Sequence, residues 1–88
     1  MKGNDKIIAS LNKLLAGELG ARDQYFTHAE MYKDWGLNEL YEHTHHETLE
    51  ETEHAARLIQ RILFLEGTPD LGKPDPLNIG ADVPAMLK

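Results

Sequence analysis

Residues 45–58 read HHETLEETEHAARL, and the spacing inside this stretch decides the fold. Glu47, Glu51 and His54 recur at intervals of four and three, so on an α-helix they share one side, which Leu58 and Ile62 continue. Two carboxylates and an imidazole in phase with an apolar stripe require compensation, because a charge taken out of water is costly unless it is paired, hydrogen-bonded or bound to a cation. The same period runs outward through Leu37, Thr44, Glu51, Leu58, Ile62 and Leu65, from just after Gly36 to a stop at Gly67.

Upstream, Ile7, Leu11, Leu14, Tyr25, Ala29 and Tyr32 fall on one arc at 100° per residue, which predicts a single helix from about Asp5 to Trp35. Asn4 or Asp5 supplies its cap and Gly36 its end. Gly17 and Gly20 weaken this helix without interrupting the pattern. At roughly 30 residues it is about 45 Å long. The short connection at Gly36 makes the two helices an antiparallel hairpin. A second apolar line on the first helix, Ile8, Leu15, Leu19 and Phe26, stands outside the first arc, and further oligomerisation is the expected way to bury it.

Residues 67–81, rich in proline and glycine and without a period, read as an extended crossover. Residues 82–88 read as the start of a third helix capped by Asp82. The organisation is therefore a hairpin over residues 1–66, a crossover over 67–81 and a helix start over 82–88.

With 88 residues the chain is one domain that buries a modest share of its surface alone, so association is expected. There is no cysteine, which excludes disulfides and thiolate metal chemistry and leaves oxygen and nitrogen ligands. A net charge of −6 with scattered Lys and Arg argues against nucleic acid. The N-terminus lacks an apolar signal region and no apolar run reaches membrane-spanning length, so a cytoplasmic protein with no membrane partner is expected.

Each helix carries a carboxylate in its core-facing line. Glu18 lies 18 residues before Gly36 and Glu51 lies 15 after it, a difference of three residues, so the two stand within roughly 5 Å of the same height. Arg22 is the nearest base in phase and cannot neutralise Glu18, Glu47, Glu51 and His54 together. Two hairpins packed face to face would assemble two copies of Glu18 and two of Glu51-x-x-His54 inside a four-helix bundle, the di-iron carboxylate arrangement of ferritin-like bundles. Carboxylate and imidazole suit Fe(II), Mn(II) or Zn(II), with iron expected for a redox role. A zinc-peptidase motif is absent, because HETLE carries Glu50 where H-E-x-x-H needs a second histidine. His46 and Glu50 form a pair four residues apart, read as a solvated charge pair, while His28 and His43 read as polar surface. Tyr25, in the arc beyond Glu18, is either a neighbour of the site or an ordinary core aromatic.

The stretches GELGARDQYFTHAEMYKDWGL, HHETLEETEHAARLIQRILFLEGTPDL and LNIGADV resemble, in order and spacing, the N-terminal half of a bacterioferritin, across nearly the whole chain. That resemblance implies that Glu18, Glu51 and His54 are ferroxidase ligands, that Glu51 bridges two irons, and that Tyr25 is a redox-active neighbour. It implies that His46 and Glu50 form an inner-surface iron site. Bacterioferritins continue through two more long helices with a third Glu and a second Glu-x-x-His. The remaining half of the site is therefore expected from a second copy, from a complementary subunit, or from further residues of a longer polypeptide. Thr52 stands where haem-binding members carry the methionine ligand, which argues against a haem site built from this chain alone.

The reading is an all-α hairpin that completes a four-helix bundle with a second chain, binds Fe(II) at a di-iron site and oxidises it to Fe(III) for storage within a shell. The competing reading is a non-catalytic bundle or interaction module in which the hairpin only mediates assembly.

Overall fold

In the computed structural model, which describes residues 3–71 and 80–87, Asn4 opens the first helix. Its side chain accepts a hydrogen bond from the Lys6 N–H at 2.7 Å, satisfying one of the donors that a helix start leaves free. Helix α1 runs Asp5–Asp34, with Asp5 in its first turn and Lys33 in its last, both favourable to the helix dipole. It ends at Gly36, whose φ of 74° is the left-handed conformation that a Cβ disfavours. Leu37 N–H then bonds to Tyr32 O and Gly36 N–H to Lys33 O, closing the last turn.

Helix α2 runs Asn38–Phe64 and returns antiparallel along α1, within a molecule 49 Å long. Its stop differs in detail from the sequence reading. The left-handed residue is Glu66 (φ 59°), one position before Gly67, and the closing bonds run from Glu66 N–H to Leu63 O and from Gly67 N–H to Ile62 O. Gly67 is required for closeness instead: a Cβ there would stand 2.9 Å from Ile8 Cγ2 and 3.1 Å from Ile62 Cγ2. A short helix α3, Val83–Met86, is capped by Asp82, which accepts from Ala85 N–H at 3.0 Å. The crossover assigned to residues 67–81 lies largely, over 72–79, outside the described residues.

The contact between α1 and α2 is centred on Leu15, Ala55 and Ile62, with Ile8, Leu11, Leu19, Leu58 and Ile59 packed around them. Leu15 and Ile62 are wholly buried, each contributing roughly 1.5–3 kcal/mol relative to exposure. Ile8, Leu15 and Leu19, read from sequence as a line awaiting further oligomerisation, therefore build the hairpin itself. Ile7 and Leu14, placed by the sequence in the core arc, are more than half exposed. Near the turn the buried residues of α1 are Ala29 and Tyr32, as the arc has them, with His28 beside them. The buried line thus moves round α1 along its length, in part through the drift of about 20° per heptad of an α-helix against a straight neighbour.

That drift also corrects the reading of His28 as polar surface. It is 4% exposed, with its ring 6.2 Å from Tyr32, which in turn meets Trp35 edge-on at 6.5 Å. On α2 the buried middle is small and hydroxylic. Thr48 donates to the Thr44 carbonyl at 3.0 Å and Thr52 to the Thr48 carbonyl at 2.8 Å, so these hydroxyls are satisfied within their own helix.

The two glycine environments predict opposite outcomes. Gly67→Ala forces Ile8 and Ile62 apart and should lower unfolding stability by about 1–3 kcal/mol. Gly17→Ala, in an open helical position, should raise it by roughly 0.5–1 kcal/mol. Urea denaturation of both variants checks the signs.

Candidate metal centre

Glu18 comes from the middle of α1, and Glu51 and His54 come from successive turns of the facing stretch of α2. Among the described residues these three bring one ligand atom each within 4.8 Å of one another. His54 Nδ1 lies 3.4 Å from Glu18 Oε2 and 3.7 Å from Glu51 Oε1. Ligands held about 2.1 Å from a common cation stand at most about 4.2 Å apart, so both separations suit donors on one ion.

The site is graded in exposure. The Glu51 side chain is 17% exposed, Glu18 33% and His54 51%. Glu18 Oε2 is itself buried and receives no hydrogen bond; the 3.4 Å to His54 is an ion-pair distance, too long for a well-formed bond. A buried carboxylate oxygen without a donor is the feature that a cation would relieve.

Glu51 is pushed up to about 7. The first cause is the hydrogen bond shared with the Glu18 carboxyl; burial and the negative charges of Glu18 and Glu47 add to it, while His54 opposes it. Glu51 thus keeps its proton to unusually high pH beside the group that His54 and Glu18 form with it. Arg22, the base nearest in phase to Glu18, is turned to Asp23, with Nε at 3.2 Å and Nη2 at 3.0 Å from Asp23 Oδ1. Register alone did not reveal that competition, although an adjacent acid in the sequence was a cue.

The other candidates sit apart from this group. Glu47 is half-buried one turn before Glu51 and acts on it through charge. His46 Nε2 and Glu50 Oε1 pair at 3.0 Å with side chains 66% and 49% exposed. Tyr25 is 36% exposed and lies two turns beyond Glu18, roughly 10 Å along the helix axis. Thr52 is exposed and bonded to its own helix.

A family model described as a ferritin-like domain matches residues 8–88. A bacterial ferritin of Paramagnetospirillum magnetotacticum is 61% identical over 88 residues, covering 100% of this chain and 54% of that protein. A bacterial ferritin of Synechocystis sp. is 58% identical, covering 100% and 56%. A bacterioferritin of Rhodobacter capsulatus is 49% identical over 80 residues, covering 91% and 50%. The chain spans about half the length of the curated relatives it matches.

The raised Glu51 carboxyl gives a pH signature in metal-free protein. Because Glu51 titrates near 7 when folded, against 4.5 as the ordinary value, its protonated form stabilises the fold below about pH 4.5, and that contribution is lost as pH rises through 7. Glu51→Gln should therefore gain on the order of 2 kcal/mol over the parent at pH 8 and little at pH 4.5. Denaturant titrations of both proteins at the two pH values, with chelator present, check this.

Proposed function

The chain belongs to the ferritin-like family, and from that premise we propose that it takes up Fe(II) at Glu18, Glu51 and His54 and serves its oxidation and storage as Fe(III). The observation that carries the proposal is the convergence of two carboxylates and an imidazole on a buried carboxylate oxygen that has no donor. Oxygen and nitrogen donors of this kind suit Fe(II), which is here the substrate.

Three ligands serve one ion, and two ions need a second set. In this proposal a further copy of the chain, or a complementary bacterioferritin-type subunit, supplies a second Glu and a second Glu-x-x-His, and Glu51 bridges the two irons. The exposed apolar side chains Ile7 and Leu14, on the Glu18 arc of α1, support a bundle completed on this flank. Each Fe(II) gives one electron to dioxygen or hydrogen peroxide, and the Fe(III) produced leaves for the interior of a shell. His46 and Glu50 are assigned there as a secondary iron site, and Tyr25 as a redox-active neighbour of the oxidation site.

Before iron arrives, the proton on Glu51 limits the repulsion between the carboxyl groups. Binding displaces it, so uptake releases a proton and strengthens with rising pH. No haem is assigned to this chain. Thr52 Oγ1 is a hydroxyl committed to the Thr48 carbonyl, not the thioether, imidazole or thiolate that holds haem iron.

A non-catalytic assembly module is the second reading. One observation favours it: a protonated His54 would pair with both carboxylates at the distances seen. Native mass spectrometry after anaerobic Fe(II) addition, followed by oxidation monitored by absorbance, separates the two. Iron storage chemistry predicts two irons for every completed bundle and loss of Fe(II) oxidation in Glu51→Ala. A metal-free assembly, with Glu51→Ala folded and indistinguishable in both assays, would establish the module.

A further inference from the structure

Among the described residues, ties at the open end of the hairpin include three hydrogen bonds, two of them made by one side chain. Gly3 N–H donates to Leu65 O at 2.7 Å. Asn12, on α1, donates from Nδ2 to the Thr68 carbonyl at 3.1 Å, and its Oδ1 accepts from the Asp70 N–H at 2.8 Å. These partners lie 56 and 58 residues further along the chain. The carboxamide is the short side chain that offers a donor and an acceptor together. Aspartate would keep the acceptor and lose the donor; alanine would lose both.

The bonds fix a route. Gly67 is seated against Ile8 and Ile62, which brings the chain leaving α2 across α1. Asp70 then lines a shallow cavity with Ile8, Ala9, Lys13 and Ala16. Ile7 and Leu14, which share their arc with Glu18, take no part in that cavity and stay exposed. We infer that Asn12 is a positioning residue that holds the chain leaving α2, as far as Asp70, over the side of α1 bearing Ala9 and Ala16 and away from the arc of Glu18. The inference concerns the path of the backbone and stands whether or not iron binds.

The test is amide exchange by NMR on the full 88-residue chain, with a nitroxide attached through Lys13→Cys reporting proximity. In Asn12→Ala, exchange at Asp70 should accelerate about tenfold or more, while Ala55 and Ile62 keep their parent rates. In Asn12→Asp, Asp70 should remain protected, because a carboxylate oxygen still accepts its N–H. The label should broaden the Asp70 resonance in the parent background and broaden it much less once Asn12→Ala is added. Unchanged exchange and broadening at Asp70 in Asn12→Ala would overturn the inference. So would an equal acceleration at Ala55 and Ile62, which would make Asn12 a contributor to global stability and not a guide of the chain.

Discussion

Two carboxyl groups, one from each helix, meet across the hairpin and hold the Glu51 carboxyl protonated to unusually high pH, and the seam is arranged around that encounter. In an apolar seam of this length Leu or Ala at both positions would pack without penalty. Glu18 and Glu51 instead leave a buried oxygen without a donor and hold Glu51 close to neutrality. The arrangement is tolerable because the rest of the contact is sound. Leu15, Ala55 and Ile62 lock the helices on one side of the carboxyls, and Ala29 and Tyr32 lock them on the other. Stability is concentrated away from the place where the carboxyl oxygen is left unsatisfied.

Much of this was legible in the sequence because it depends on local rules. Helix ends follow caps and a left-handed glycine, and Asn4 and Gly36 act as their residue types require. The facing of Glu18 and Glu51 follows from counting residues outward from a short turn, since the rise per residue is fixed. What failed was anything that needed the helices' relative rotation. A single 100° arc put Ile7 and Leu14 inside and His28 outside, whereas the buried line moves round α1 as the helices run past each other. Glu66 shows the same limit on a smaller scale. Gly67 was the natural stop by residue type, yet its close contact with Ile8 passed the left-handed conformation to its neighbour.

The partners of the charged side chains were less legible still. Arg22 lies in phase with Glu18 but pairs with Asp23, because an adjacent acid is reached without crossing the seam. The sequence therefore named the three converging groups and the insufficiency of Arg22 to offset them, and the pairing with Asp23 leaves Arg22 still less available. Family membership is what makes iron, among the cations that such donors suit, the one proposed for this site.

The threonine ladder of α2 carries a consequence for how the hairpin encodes its own alignment. Thr48 spends its hydroxyl on the Thr44 carbonyl of its own helix, so the seam between the carboxyl pair and the turn offers α1 little besides methyl groups and small volumes. Such a surface is nearly blank as information: it accepts a neighbouring helix without specifying a height or rotation. The instructions are written at the two margins, in the aromatic corner of His28, Tyr32 and Trp35 and in the Leu15–Ile62 layer beside the Asn12 ties. The hairpin is thus ruled like a page from its edges, and the stretch between them is free to hold the carboxyl pair.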